Sequence, residues 1–210
     1  MIKKITDALS RPVCGGWDRG FLGSILEQLS KGHHLSAKQK QTLGMVLARN
    51  TVEDQAKHEN WVIGYEKEYK EDAMVLAYYH SRQPYYRPMA ADIKAGNVPE
   101  RSKFMRMYNN KYSKKVLIEQ TKGARYSIGD YVMPRSNFNS FKNIEMVNTS
   151  ASWPIQNASI EKFKGRGGFI LGIEKHITTH AKGAKRYRIL AAGGIAPFIV
   201  EERFLKIAKK

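Results

Sequence analysis

The chain has 210 residues, 42% of them hydrophobic, enough to bury a core and too many for a disordered segment. Its 36 basic residues against 19 acidic ones leave a formal net charge of +17. That excess lies in both halves, which excludes a neutral body with a basic tail and points to a polyanionic partner, nucleic acid before an anionic membrane surface.

Cys14 is the single cysteine, so no intrachain disulfide can form, and no apolar run is long enough to span a membrane. Lys3 and Lys4 are not followed by the apolar stretch of a signal peptide, and a cytoplasmic setting is expected. Ile2, Ile5 and Leu9 predict a short helix stopped before Pro12. Cys14-Gly-Gly-Trp17 reads as a turn with Trp17 as a core anchor. Phe21–Leu29 reads as an amphipathic helix, closed by Lys31-Gly32. Ser36 and Gln39 have the spacing of a capping box, and Leu43, Val46 and Leu47 carry on that helix's apolar face. Thr51 caps a helical stretch to Arg82, in which Trp61, Tyr65 and Tyr69 recur at spacing four, Glu66 to Asp72 is acidic, and Ala73–Tyr79 is apolar and expected buried. Pro84 and Pro88 bracket Tyr85-Tyr-Arg87 as a rigid aromatic loop. Met89–Ala95 reads as a short helix stopped by Gly96, and Pro99 opens the next one.

From Arg101 to Lys115, charge and rings interleave: Arg101, Lys103, Phe104, Arg106, Tyr108, Lys111, Tyr112, Lys114 and Lys115. Glu119 is the only carboxylate before Arg125. Beyond Lys115 the pattern turns to strands, expected at Lys115–Glu119, Tyr126–Met133, Gly168–Glu174, Arg186–Ala191 and Phe198–Val200, with a long loop over 136–156. The expected class is α+β: a helical region over 1–115, then a β-rich region over 116–210.

Phe21 to Gln28 (Phe-x-x-Ser-Ile-Leu-x-Gln), followed by Leu35 to Gln39 (Leu-Ser-x-Lys-Gln), resembles a helical hairpin of bacteriophage replication and recombination proteins, which implies a phage origin and a host cytoplasm. Ile128-Gly-Asp-Tyr-Val132 resembles the opening strand of an SH3-like small barrel. Phe163 to Gly172 resembles the glycine-centred strand of KOW-type barrels, Lys185 to Leu190 the next strand, and Val200 to Leu205 the short turn and closing strand. The resemblance implies a nucleic-acid, ribosomal-surface or peptide binder.

Three basic clusters are candidates for phosphate contact. The first is Arg101, Lys103, Arg106, Tyr108, Lys111, Tyr112, Lys114 and Lys115, joined by Arg125. Phe104, Tyr108 and Tyr112 at spacing four would share a helix face, either stacking on unpaired bases or facing the core. The second is Lys162, Lys164 and Arg166, set among Gly165, Gly167 and Gly168 as a turn that would let backbone N–H groups approach a phosphate. The third is the loop and strand carrying Lys182, Lys185, Arg186 and Arg188. Lys206, Lys209 and Lys210 add a basic tail. No metal, cofactor or catalytic residue is expected: the histidines are poorly spaced, Cys14 has no placed base, and the acids alternate with lysines. The expected function is phosphate-directed binding of single-stranded nucleic acid, RNA slightly ahead of DNA, without enzymatic activity. The alternative is an adaptor whose Phe21–Leu47 hairpin binds a protein and whose basic half docks on an acidic surface. A metal-dependent nuclease is the third.

Overall fold

The computed structural model describes residues 1–140, 142–147 and 151–208. The protein is α+β: helices through the N-terminal part, then a six-stranded antiparallel sheet. The chain divides into two compact units, Met1–Tyr69 and Lys70–Lys210.

In the first unit, α1 (Ile2–Leu9), α2 (Gly16–Ser30) and α3 (Ala37–Ala48) close around Ile5, Ala8, Cys14, Leu22, Ile25, Leu35, Leu43 and Val46. Phe21, Leu26, Leu29 and Leu47 pack on that core, so most of the hairpin's apolar face is covered from within. Ser36 and Gln39 form the capping box, satisfying two of the amide donors that a helix start leaves over. Thr51 and Asp54 repeat the device on α4 (Val52–Gly64). A π-helical turn at Tyr65–Tyr69 follows, and the Trp61 ring lies 5.6 Å from Tyr65 and 5.8 Å from Tyr69. Trp17 is not the expected core anchor. It is 62% exposed and stacks on Phe21 at 5.0 Å, because the turn ends at Gly15 and α2 has already begun.

The second unit opens with α5 (Lys70–His80), whose Ala73, Val75, Leu76, Ala77 and Tyr79 are buried as expected. Next come α6 (Arg87–Lys94), α7 (Arg101–Tyr108) and α8 (Lys111–Thr121). Pro99 precedes α7 and its N-cap Glu100, one step earlier than expected. The strand expected at Lys115–Glu119 is helix. Val116 and Glu119 are buried at helical spacing, and Asn110 caps the start by accepting the Tyr112 amide at 2.8 Å. The change to β structure falls after Thr121.

The strands are β1 (Tyr131–Pro134), β2 (Ile144–Met146), β3 (Gly168–Ile173), β4 (Arg186–Ala191), β5 (Phe198–Glu201) and β6 (Leu205–Ile207), in the order β2-β5-β4-β3-β1-β6. The Gly129-Asp130 turn precedes β1, with Gly129 at φ +92°. Strand β1 pairs with both β3 and the closing strand β6, β3–β4–β5 run as a meander, and a 3₁₀ turn at Glu202–Phe204 leads into β6. The stretch 136–156 is not one long loop: it contains β2 on the edge and the start of α9 (Trp153–Arg166), while residues 141 and 148–150 lie outside the described residues. Helix α9 lays Ile160 and Phe163 on one sheet face, against Val132, Ile170, Tyr187, Ile189, Ala191, Phe198 and Val200. Those strand residues alternate, as a half-covered sheet requires.

Candidate nucleic-acid interface

The first basic cluster is built on two helices rather than one. Asn109 and Asn110 break the chain between α7 and α8, so Phe104 and Tyr108 lie on the first helix and Tyr112 on the second. Phe104 is fully buried and stacks on Tyr108 at 5.6 Å. Tyr108 donates its hydroxyl to Asp72 at 3.0 Å, and the Lys114 ammonium lies 5.2 Å from its ring. Tyr112 is 40% exposed, with the Lys111 ammonium 5.0 Å from its ring and the His180 ring at 5.1 Å.

His180 comes from the β3–β4 loop, which is fastened to α8. The Glu119 carboxylate accepts the Gly183 amide at 2.7 Å, the Gln120 side chain donates to the Lys175 carbonyl at 2.7 Å and accepts the Ile177 amide at 3.1 Å, and Lys185 donates to the Gln120 carbonyl at 2.6 Å. Burial opposes ionisation of Glu119, but Lys122 and the Gly183 amide outweigh it and hold the carboxyl below its usual range. The Tyr79 hydroxyl lies 3.3 Å from His180 Nδ1. The loop thereby brings His180 to Tyr112 on α8, with the exposed Lys182 two residues further along it.

On α7 and α8, Arg101, Arg106, Lys111, Lys114 and Lys115 are exposed and have no ion-pair partner among the described residues. Lys103 differs, being paired with Glu100 at 2.8 Å. Lys111 and Lys115 are four residues apart on one helix, an arrangement that costs a few tenths of a kcal/mol by repulsion.

The other clusters are placed differently. Lys162, Lys164 and Arg166 lie on α9 and not on a glycine turn. Lys162 donates to the Gly193 carbonyl at 2.6 Å and Lys164 pairs with Glu161 at 2.8 Å. Gly167 and Gly168 serve packing rather than a phosphate cradle. Gly167, at φ +74°, turns the chain from helix to strand with no room for a Cβ beside Met133 and the Val132 carbonyl, and Gly168 lies against β4. Arg186 is 5% exposed, held by Glu145 at 2.7 Å and the His176 carbonyl at 3.1 Å, so it is a buried structural cation and not a surface contact. Arg188 pairs with Glu174 at 2.9 Å. Arg125 is exposed over the Tyr126 ring, while its amide donates to the Tyr187 hydroxyl at 2.9 Å. Lys206 is exposed, and Lys209 and Lys210 lie outside the described residues.

Sequence reasoning missed two features. One is the approach of His180, a member of the third cluster, to Tyr112, which only the loop's docking brings about. The other is an open cavity of about 420 Å³ between α6 and α7, to which the aromatic loop and Lys103 and Arg106 both contribute. The two prolines around Tyr85 and Tyr86 were its only signal. Among the described residues, no group of three or more His, Cys, Asp or Glu side chains is placed to hold a metal ion, and no helix is long and apolar enough to cross a membrane. Cys14 is fully buried, and burial pushes its thiol up, away from nucleophilic use. No protein-family model, curated protein or solved structure matches the chain.

Proposed function

We propose that this protein binds nucleic acid, mainly through phosphate and with weak sequence preference, using the exposed face of α7 and α8 and the adjoining His180 loop. Single strands are favoured over duplex, and RNA slightly over DNA. One observation carries the reading: Arg101 and Arg106 on α7 and Lys111, Lys114 and Lys115 on α8 are exposed with no ion-pair partner among the described residues, and Lys111 lies over the half-exposed ring of Tyr112. A fold keeps uncompensated like charges on one face at a cost, and phosphate is the ligand that relieves it. An exposed ring beside them adds a stacking surface for an unpaired base. The adaptor alternative loses its main support, since the hairpin's apolar face packs within its own unit.

The test is fluorescence anisotropy of labelled single-stranded RNA, single-stranded DNA and duplex DNA at low and near-physiological salt. Wild type should bind with a steep salt slope. Changing Lys111, Lys114 and Lys115 together to Ala should flatten that slope by about 2 and weaken binding to a single strand about 100-fold near 0.1 M salt, if each lysine neutralises one phosphate. Absence of binding at low salt would refute the reading.

A further inference from the structure

We propose that the cavity between α6 and α7 is a subsite for one unpaired nucleobase, with Lys103 and Arg106 taking the phosphates that flank it. The proposal rests on the nucleic-acid reading and says where a single strand is told from a duplex.

The cavity's volume of about 420 Å³ leaves room for a base with its sugar, and its walls include Tyr85, Tyr86, Met89 and Pro99. Tyr85 is 72% exposed, which packing does not explain. Its ring makes one T-shaped contact, with Tyr86 at 4.7 Å and 88°, and otherwise stays open to stacking by something flat. Tyr86 is fixed in turn, T-shaped to His80 at 4.8 Å, and His80 is buried with Nε2 2.9 Å from the Ser113 hydroxyl on α8. Pro84 and Pro88 restrict the backbone on both sides. The ring is therefore preset, which lowers the entropic cost of using it.

The polar groups at the cavity indicate which ligand fits. Arg106 has no ion-pair partner among the described residues, and Lys103 gives up only a surface pair with Glu100. Two carboxylates line the cavity: Glu100 is engaged by Lys103 and the Ser102 hydroxyl, while Asp92 has no hydrogen-bond or ion-pair partner among the described residues. A carboxylate only accepts hydrogen bonds, so it suits the exocyclic amino groups of adenine, cytosine and guanine better than uracil, whose one edge donor, N3–H, is flanked by two carbonyl oxygens that a carboxylate repels. A second copy of this chain is a poor occupant, because two bodies at +17 repel each other. An apolar peptide would leave both cations unused.

The experiment compares short oligo(rA), oligo(rU) and an abasic strand of equal length by anisotropy. Tyr85→Ala should weaken oligo(rA) binding about 5- to 150-fold with the salt slope unchanged, and leave the abasic strand unaffected. Asp92→Ala should abolish a preference for oligo(rA) over oligo(rU) that wild type shows. Both positions are exposed, and circular dichroism checks that the fold is kept. If Tyr85→Ala binds every strand as wild type does while the triple lysine variant loses affinity, the subsite is wrong and the nucleic-acid reading stands. If wild type binds no strand, both fall.

Discussion

Acid should loosen the joint between α5 and α8 through one side chain. His80 is buried, with Nε2 on Ser113 and Nδ1 facing no hydrogen-bond partner, so a second ring proton would have no acceptor. Burial alone lowers its pKa from 6.5 to about 4. Below about pH 6.5 the unfolded chain takes up a proton at this ring that the folded chain refuses until about pH 4. Stability is therefore full above 6.5 and is lost as the pH falls through that window, by about 1.4 kcal/mol per pH unit and about 3 kcal/mol in all. His176 and the carboxylates also titrate under acid, so the contribution must be isolated by difference. His80→Asn should cost about 1–3 kcal/mol at neutral pH, from lost packing and an imperfect bond to Ser113. In urea unfolding followed by circular dichroism, the gap between wild type and variant should shrink by about 3 kcal/mol from pH 7.5 to pH 4. Direct NMR titration should find this imidazole neutral near pH 5. A gap that stays constant with pH, or a ring that titrates near 6.5, would refute the account.

Four further outcomes follow from single positions. Gly168→Ala should destabilise by about 2 kcal/mol or more, because its Cβ would lie 2.9 Å from the Ala191 Cα and upon the Leu190 carbonyl. Gly172→Ala, with nothing within 4 Å, should cost about 0.5 kcal/mol or less in the same urea titration. Cys14 should resist a thiol reagent in the native protein and react at once in urea, so its labelling rate reports opening of the first unit; immediate native labelling would contradict its burial. Glu119→Gln should free the β3–β4 loop, seen as faster hydrogen exchange at the Gly183 amide; unchanged protection there would show that Gln120 and Lys185 hold the loop alone.

The fold was legible where local chemistry decides it. Ser36 with Gln39 is a short-range device that starts its helix as the spacing predicts, and Thr51 caps the next as expected, with Asp54 closing a box the sequence reading did not include. Arg186–Ala191 is legible because alternation survives where one face is covered, and Phe198–Val200 because it is a short apolar run, buried throughout, within the strand Phe198–Glu201. Lys115–Glu119 was misread because Val116-Leu-Ile carries strand propensity. Its helix is imposed by Val116 and Glu119 facing the interior, a tertiary cause that no window of sequence contains. Phe163–Arg166 was misread for the opposite reason. Its glycines suggested a turn, but Gly165 lies within α9 and only Gly167 takes the left-handed backbone that ends it.

The site was legible as composition and illegible as geometry. A count of cations finds Lys111, Lys185 and Arg186 alike, yet Lys111 is open, Lys185 is spent on a helix carbonyl and Arg186 is buried on Glu145. What separates them is whether a carboxylate or carbonyl far along the chain reaches the same place. Rings obey the same rule. Phe104 and Tyr85 are both aromatic residues near basic ones, but Phe104 is sealed behind α7, while Tyr85, held between prolines, is left facing water. A polyanion senses only the charges and rings that the fold has not already used. Under the proposed function, substitutions among the exposed cations of α7 and α8 and at the α6–α7 cavity should move binding, while equal losses of charge at Arg186 or Lys185 should move stability.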